Sequence, residues 1–329
     1  MNDRGTERIL VTGGAGYIGS VLCRLLLRKG YQVRVLDRLM YGGGPLVELM
    51  ETPGFEFQKG DVRKEQDLRE ALKGVDRVAH LAAIVGDPAC AANPDLARST
   101  NEEGSKFLYQ EAEKVGVKQF VFASTCSNYG KTSDPDAYVD EEAPLNPVSL
   151  YAENKVAIER YLLGQDRSAT CRPTCMRFAT VYGLSPRIRF DLTVNEFTKE
   201  LALGRELVVF GEQFWRPYCH VIDLARSIPA VFEASEEEVA FDVFNVGDTE
   251  ENYQKQMIVD EMVKAIPESE IQYVQKDEDP RDYKVDFSKI HDRLGFRISK
   301  RVPEGIHAIK RVIEDGMISD PDANAYRNV

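Results

Sequence analysis

The chain has 329 residues, and at about 150 residues per domain this length suggests two domains or one large α/β unit. It carries 42 Lys and Arg against 54 Asp and Glu, a formal net charge of -12, which argues against nucleic acid or an anionic membrane surface as the main partner. Hydrophobic residues at 43% and charged residues at 29% exclude collagenous, disordered and membrane proteins for the chain as a whole.

Short apolar strands alternate with longer helical stretches in the first half of the chain. The patterns predict, in order, strand 9–12, helix 17–29, strand 32–37, strand 55–61, helix 64–73, strand 77–82, helix 94–115 and strand 118–124. This alternation indicates an α/β fold in which helices cover both faces of a parallel sheet. Because crossovers between parallel strands are right-handed, the sheet should be doubly wound, of Rossmann type.

After about Thr180 the alternation loosens, and loops rich in Gly and Pro appear. The patterns here predict helix 192–203, strand 207–210, helix 222–234 and strand 241–246. The last of these strands has too continuous an apolar run for an exposed edge, so we expect it to return to the main sheet.

The N-terminal segment Met1–Arg8 is polar and lacks the apolar stretch of a signal peptide, and no apolar run approaches the roughly 18 residues of a membrane span. Six scattered cysteines fit a cytoplasmic chain whose thiols stay reduced. Cys171 and Cys175 are close, but no second Cys or His pair completes a zinc tetrahedron. We interpret both as inward residues of a strand, with metal binding the less favoured interpretation, and expect no metal.

A glycine-rich turn follows the first predicted strand and opens the first helix. Gly14, Gly16 and Gly19 satisfy the pattern G-x-G-x-x-G, and Gly13, Gly16 and Gly19 satisfy G-x-x-G-x-x-G. Glycines let the backbone approach a pyrophosphate, whose charge is then met by the helix N-terminus. The turn and its context therefore predict a dinucleotide site.

Asp37 ends the second strand about 20 residues further on, where this motif places an acidic residue. A carboxylate there accepts hydrogen bonds from ribose hydroxyls and repels a 2′-phosphate, so NAD is favoured over NADP. Arg38 keeps NADP open, because a guanidinium can hold a 2′-phosphate. Asp61 and Val62 follow the third strand, where an adenine edge would pass; alternatively, Asp61 caps the next helix.

Tyr151 and Lys155 form a Y-x-x-x-K pair. On a helix, residues i and i+4 share a face, so the ammonium can lie beside the phenol. A tyrosine is a poor base at neutral pH, but an adjacent cation and a positive nicotinamide ring both favour phenolate. The strand Phe120–Thr125 lies just upstream and ends in hydroxyls, and its carboxyl end points at the ligand crevice.

Four motifs occur in this order along the chain: TGGAGYIG at Thr12–Gly19, STCSNYG at Ser124–Gly130, PVSLYAENK at Pro147–Lys155 and RPYCHVID at Arg216–Asp223. Together they resemble the extended short-chain dehydrogenase/reductase family, and within it the NAD-dependent nucleotide-sugar epimerase/dehydratase branch. The likeness runs from Ile9 to about Asp315, and His80 and Asn101 also fit the family pattern.

The resemblance implies that Tyr151 is the catalytic base or acid, that Lys155 is its pKa partner and a ribose ligand, and that Thr125 contacts the reacting sugar oxygen. The residues expected to contact NAD are Gly13, Gly16, Tyr17, Ile18, Gly19, Asp37, Arg38, Asp61, Val62, Leu81, Ala82, Ala83, Tyr151 and Lys155. Those expected to contact a nucleoside-diphosphate sugar are Cys126, Ser127, Asn195, Arg216 and Arg281, the two arginines on the diphosphate unless they form surface ion pairs instead.

The resemblance also assigns domains and assembly. Residues 1–180, with a returning segment around 220–250, would form the NAD-binding Rossmann domain. Residues 181–329 would mainly form a smaller C-terminal α/β substrate-binding domain. A homodimer is expected through the helices Pro94–Val115 and Pro147–Leu163.

Dehydratases and decarboxylases of the branch carry a carboxylate near this Thr, whereas this chain has Cys126 and Ser127, so dehydration is disfavoured. We expect an NAD-dependent nucleotide-sugar 4-epimerase, which oxidises C4 transiently to a 4-keto sugar and returns the hydride without stereospecificity. An NAD(P)-dependent 4-ketoreductase or dehydrogenase is the alternative, disfavoured because biosynthetic reductases usually use NADPH. A non-catalytic dinucleotide-binding protein is the alternative outside the enzyme class.

Two departures from the family pattern concern the substrate. Thr180 stands where many epimerases have Asn, and the usual Pro after Gly183 is absent. Arg187 and Arg189 add cations near the expected sugar pocket. They indicate either a sugar with a carboxylate, such as a uronic acid, or pairing with acidic neighbours.

Overall fold

The computed structural model describes residues 7–132, 134, 137–276 and 281–328; residues 1–6 of the polar N-terminal segment lie outside this part. In chain order the strands are β1 (Arg8–Thr12), β2 (Gln32–Asp37), β3 (Phe55–Lys59), β4 (Arg77–His80), β5 (Gln119–Thr125), β6 (Tyr138–Val139), β7 (Arg172–Phe178), β8 (Thr180–Tyr182), β9 (Leu207–Phe210), β10 (Trp215–His220), β11 (Asp242–Val246), β12 (Asn252–Gln254), β13 (Ile271–Val274) and β14 (Lys284–Val285).

The helices are α1 (Tyr17–Arg28), α2 (Glu65–Ala71), α3 (Asp87–Ala92), α4 (Pro94–Arg98), α5 (Gly104–Lys114), α6 (Leu150–Leu163), α7 (Thr193–Ala202), α8 (Val221–Glu233), α9 (Glu236–Val239), α10 (Lys255–Ala265), α11 (Ser288–Leu294) and α12 (Val302–Glu314). The predicted strands 32–37 and 207–210 have the observed bounds, and most other predicted elements differ from the observed ones by one or two residues at an end.

Seven parallel strands form the main sheet, in the order β11-β7-β5-β4-β1-β2-β3. Successive side chains of β1 enter opposite faces: Ile9 and Val11 pack in one apolar core, and Leu10 packs in another. All three side chains are fully buried. Helices cover both faces, which is why β1 is a continuous apolar run in the sequence. The predicted doubly wound parallel sheet is confirmed.

The returning strand is β11. It pairs in parallel with β7 and forms one edge of the main sheet. The return to the main sheet that the apolar run 241–246 predicted is confirmed. Lys289 of α11 covers its outer side, donating hydrogen bonds to the Asp242 carboxylate (2.7 Å) and to the carbonyl of Val243 (2.8 Å). An edge strand can therefore be apolar here because another part of the chain covers it.

The predicted helix 94–115 is present, since residues 94–114 are helical throughout, but it contains a change of register that the sequence did not predict. A π-helical turn, Ser99–Glu103, joins α4 to α5. Within this turn the Asn101 side chain accepts a hydrogen bond from the Ile84 nitrogen (2.7 Å) and donates one to the Ile84 oxygen (2.9 Å). The change of helical register places Asn101 where it fixes the loop that follows β4.

A second apolar core lies beyond β7 and is built from β8, β9, β10, α7, α10 and α12. Its fully buried side chains include Tyr182, Val209, Ile258, Met262 and Ile306. Here β10 pairs with β8 and β12, and β13 pairs with β9. The placement of a domain boundary at residue 180 stays a prediction.

A buried histidine links strands β1 and β4 to α5. His80 Nδ1 lies 2.6 Å from the Thr12 hydroxyl, and Nε2 lies 2.8 Å from the Ser105 hydroxyl. Because Ser105 donates its proton to the Asn101 carbonyl (2.6 Å), it accepts from Nε2–H, and Nδ1 accepts from Thr12. Burial lowers the pKa of His80 to about 3, so the ring is neutral at physiological pH.

This histidine predicts a pH dependence of stability. The unfolded chain protonates His80 near pH 6.5, whereas the folded chain does so only near pH 3, so stability is lost as the pH falls between these values. His80→Gln should lose about 2 kcal/mol less than the wild type between pH 7.5 and pH 5, measured by urea denaturation. The exposed His307 offers a control, since His307→Gln should lose as much as the wild type. Equal losses for all three proteins would contradict the prediction.

Candidate active site

A cleft of about 710 Å³ opens at the carboxyl ends of the parallel strands, and residues of the second half of the chain close its other side. It brings together most of the residues that the sequence predicts for cofactor, chemistry and substrate. The predicted site residues that line it are Gly13, Gly16, Tyr17, Ile18, Gly19, Asp37, Arg38, Val62, Leu81, Ala82, Ala83, Thr125, Ser127, Tyr151, Lys155, Arg216 and Arg281.

The glycine-rich turn lies at the floor of this cleft. Gly13 has φ of 75°, and a Cβ at this position would lie 2.8 Å from the backbone nitrogen of Ala82. A Cβ at Gly19 would lie 2.2 Å from the carbonyl oxygen of Gly13. Helix α1 begins after Gly16 without a side-chain cap. The turn therefore leaves backbone N–H groups, and no side chain, where a pyrophosphate would bind.

Asp37 lies at the end of β2 beside this turn. Its carboxylate accepts hydrogen bonds from the backbone nitrogens of Ala15 (3.0 Å) and Leu39 (2.7 Å), which hold it at the cleft. Burial raises the pKa of Asp37, and these two donors oppose the rise. Since the acid stands where a ribose would pass, the group fits the adenosine half of NAD.

Asp61 lies near the predicted adenosine site, but its role differs from the predicted one. Its carboxylate does not line the cleft but binds Arg63 (2.7 Å) and Arg38 (3.2 Å). The N-cap of α2 is Lys64, so Asp61 does not cap this helix either. The residue instead positions Arg38, which does line the cleft.

Tyr151 and Lys155 lie one turn apart on α6, and the Ser149 side chain caps this helix through the Ala152 nitrogen (3.3 Å). Lys155 Nζ donates to the Ala123 carbonyl of β5 (2.6 Å) and lies 5.8 Å from the centre of the Tyr151 ring. Burial lowers the pKa of Lys155 to about 8. The predicted pairing of ammonium and phenol on one helix face is thus present.

Burial also raises the pKa of Tyr151, so without bound cofactor its phenol keeps its proton at neutral pH. Thr125 ends β5 on the same side of the cleft, and its Oγ1 accepts a hydrogen bond from the Ser127 nitrogen (3.1 Å). The hydroxyl proton is therefore left to donate toward the cleft.

Two arginines from the second half of the chain, Arg216 and Arg281, also line the cleft. Arg216 lies with its guanidinium 5.3 Å from the centre of the Tyr283 ring, and Arg281 forms an ion pair with Asp87 (2.9 Å). The Tyr283 hydroxyl is hydrogen-bonded to the Ser127 side chain. Sequence reasoning missed Asp87 and Tyr283; the signal for Tyr283 was its place two residues after Arg281.

Two predicted substrate residues do not reach the cleft. Cys126 is 1% exposed, and its thiol donates to the Arg177 carbonyl (3.2 Å) within the apolar core. It starts a 3₁₀ turn after β5 that directs its side chain inward, while Ser127 lines the cleft. Asn195 is also 1% exposed, because its amide binds the Gly183 nitrogen (2.8 Å) and the Arg189 carbonyl (2.8 Å). It holds the loop that follows β8 and does not line the cleft.

A buried ion pair behind Tyr151 and Lys155 was also missed. Arg177 of β7 and Glu159 of α6 approach to 2.8 Å, with side chains 5% and 1% exposed. Glu159 also accepts hydrogen bonds from Asn128 (2.8 Å) and from the Ser124 hydroxyl. The available signal was Glu159 two helical turns after Tyr151, together with a lone arginine inside an apolar strand.

Residues 9–247 match the NAD dependent epimerase/dehydratase family. The chain belongs to this family. It is 30% identical over 308 residues to a dTDP-glucose 4,6-dehydratase from Streptomyces niveus, covering 88% of this chain and 87% of that protein.

Solved structures of similar enzymes have the same fold. A UDP-glucose 4-epimerase from Thermotoga maritima, solved with UDP-glucose, has a TM-score of 0.83 at 27% identity and covers 94% of this chain and 100% of its own. A UDP-glucuronic acid 4-epimerase from Bacillus cereus, in complex with UDP-glucuronic acid and NAD, has a TM-score of 0.83 at 25% identity, covering 94% of this chain and 99% of its own.

These relatives establish an NAD-dependent enzyme of the extended short-chain dehydrogenase/reductase branch, of epimerase or dehydratase type. The cofactor is NAD, as Asp37 predicted, and the uncapped start of α1 together with the glycine cradle fits its pyrophosphate. In the described part of the chain, none of the helices is long and apolar enough to cross a membrane.

Two glycines with positive φ separate the effect of backbone strain from that of close contact. Gly13→Ala should weaken NAD binding by at least about tenfold, because the new Cβ collides with the backbone of β4's exit loop. Gly30 has φ of 88° but no atom within 4 Å of its Cβ position, so Gly30→Ala should lower the melting temperature by a few degrees only. Bound NAD per chain, measured after gel filtration, checks the difference. Equal NAD content in the two variants would show that the close contact is irrelevant.

Proposed function

We propose that this enzyme is an NAD-dependent nucleotide-sugar 4-epimerase that oxidises C4 transiently to a 4-keto sugar. The observation that carries the proposal is that Thr125, Tyr151 and Lys155 line one cleft, while Cys126 and Ser127, and no carboxylate, directly follow Thr125. These three groups suffice for reversible transfer of a proton and a hydride at a hydroxyl-bearing carbon. Elimination of water needs a further acid and base.

Each of the three side chains has a role that its contacts support. Tyr151 removes the proton from the C4 hydroxyl and later returns it. Lys155, held by the Ala123 carbonyl, stabilises the phenolate, and Thr125 donates a hydrogen bond to the sugar oxygen. Bound NAD would supply the hydride chemistry that this reaction needs, as acceptor and then donor of the hydrogen at C4.

The carboxylates around the cleft argue against dehydration. Among the described residues that line it, the acids are Asp37, Asp87 and Asp191. Asp37 accepts two backbone hydrogen bonds, Asp87 pairs with Arg281, and Asp191 forms a bidentate pair with Arg189 (2.7 and 2.9 Å). Each acid is already engaged, so no free pair is poised for removal of a C5 proton and loss of the 6-hydroxyl.

Arg216 and Arg281 support a nucleoside diphosphate as the anionic part of the substrate, since both line the cleft and a guanidinium suits a diphosphate. The sugar would then lie between them and Tyr151. UDP-glucose and UDP-glucuronic acid, which bind the solved relatives, are the first substrates to test. A homodimer through α4, α5 and α6 and a cytoplasmic location stay predictions.

The enzyme purified with its own NAD should convert one of UDP-glucose, UDP-glucuronic acid or dTDP-glucose into the 4-epimer without added NAD or NADPH. Product formation is followed by anion-exchange chromatography and proton NMR. Stoichiometric oxidation of NADPH with a 4-keto sugar would instead identify a ketoreductase, and release of water to a 4-keto-6-deoxy sugar would identify a dehydratase. Either outcome contradicts the proposal.

Tyr151→Phe should reduce kcat by about 10²- to 10⁴-fold, because it removes the proton acceptor while leaving the ring in place. Bound NAD should remain at the wild-type level, which separates loss of chemistry from loss of cofactor. Tyr161 lies on the same helix and donates no hydrogen bond to the cleft, so Tyr161→Phe is the matched control and should keep wild-type turnover. A Tyr151→Phe enzyme within about tenfold of the wild-type kcat would refute the assigned role.

A further inference from the structure

Arg187 lines the cleft but has no part in the chemistry described above. The residue is 4% exposed, and its guanidinium lies 4.3 Å from the centre of the Tyr41 ring. One of its terminal nitrogens donates to the Arg327 carbonyl (2.9 Å), whereas its buried Nε has no hydrogen-bond partner among the described residues. A buried donor without a partner at a cleft wall indicates a group that is satisfied by a ligand.

The charge around Arg187 is unbalanced. Arg189, the neighbouring cation, occupies both oxygens of Asp191 (2.7 and 2.9 Å). Asp191 also accepts a hydrogen bond from the backbone nitrogen of Asn328 (3.1 Å). Within the described residues no carboxylate forms an ion pair with Arg187. An unpaired guanidinium is costly to bury, so this position favours an anion.

The contacts of Arg187 place that anion on the cofactor side of the cleft. Its backbone nitrogen donates to the Ser185 hydroxyl (3.3 Å), which donates to the carbonyl of Tyr17 in the glycine-rich turn (2.6 Å). Tyr41, on which the guanidinium stacks, follows β2 and Asp37. Arg187 is thus tied to both segments that flank the start of α1. Arg216 and Arg281 belong to other segments of the chain.

We propose that Arg187 binds the pyrophosphate of the dinucleotide from the second half of the chain. Its charge and its fork of donors complement the backbone N–H groups of α1, which meet the same anion from the opposite side. The C-terminal segment holds the guanidinium in place through the Arg327 carbonyl, and the Tyr41 hydroxyl donates to the carbonyl of Asn328 (3.3 Å). Both halves of the chain therefore hold the cofactor.

The test uses ligands that differ only in the pyrophosphate-bearing part. The holoenzyme and its Arg187→Gln and Arg187→Met variants are first compared for NAD retained after gel filtration. After removal of NAD, each is titrated with ADP-ribose, which carries the pyrophosphate, and with adenosine, which does not. Arg311→Gln, at an exposed arginine of α12, is the control.

Both Arg187 variants should bind ADP-ribose about 10- to 100-fold more weakly than the wild type and should retain less NAD, with adenosine affinity changed less than about twofold. Arg187→Met keeps packing against Tyr41 and removes a buried unpaired charge, so the NAD-free variant should melt at or above the wild-type temperature. A purely structural arginine would give the reverse, a lower melting temperature with unchanged ADP-ribose affinity.

Three results would overturn the proposal. The first is an equal loss of affinity for ADP-ribose and for adenosine, and the second is an unchanged affinity for ADP-ribose. The third is a loss of affinity for UDP-glucuronic acid or UDP-glucose alone, which would assign the anion to the substrate. If Arg187→Gln does not fold, Arg187→Met decides between the outcomes. None of these measurements depends on epimerase turnover, so they stand whether or not the proposed reaction is correct.

Discussion

The buried ion pair between Glu159 and Arg177 is the contact on which the active site depends. It joins α6, which carries Tyr151 and Lys155, to β7, which is paired along its whole length with β5 and so with Thr125. Removing one partner of such a pair leaves an uncompensated charge and costs about 3–5 kcal/mol. The pair therefore holds α6 against β7, and through β7 against the carboxyl end of β5 where Thr125 lies.

The proposed function assigns different kinds of group to the cofactor and to the substrate. The dinucleotide half of the cleft consists mainly of backbone: a glycine turn, an uncapped helix start and the ends of strands. In the proposed function, the nucleotide sugar is bound instead by the side chains of Arg216 and Arg281, which line the same cleft. This division explains how a chain of net charge -12 can hold two phosphate-bearing ligands, because local donors act at contact distance while the net charge is spread over a screened surface.

The parts of the fold that sequence predicted well are those set by local rules. Buried parallel strands, the glycine turn and the i, i+4 pair of Tyr151 and Lys155 follow from periodicity and spacing. The errors arose where tertiary contacts decide. Whether Cys126 or Ser127 faces the cleft depends on a 3₁₀ turn after β5, and the π-helical turn at Asn101 depends on contacts with the loop after β4.

Long-range polar contacts were hidden for the same reason. The motif predicts that Asn195 binds the substrate. In the structure its amide is hydrogen-bonded to the Gly183 nitrogen and to the Arg189 carbonyl. Nothing in the sequence around Asp87 singles it out, because its partner in the ion pair is Arg281, 194 positions later. Spacing rules describe single elements, and these contacts join separate ones.

The path of the chain between its two cores has a mechanical consequence. After β7 it enters the second core at β8, returns from β10 into α8, leaves again from β11 to β12, and comes back once more at α11 before α12. Rotating one core relative to the other would require a change in all these connections at once, and not in one linker alone. The two cores are therefore tied together at several points of the chain, and no single connection between them can act as a hinge.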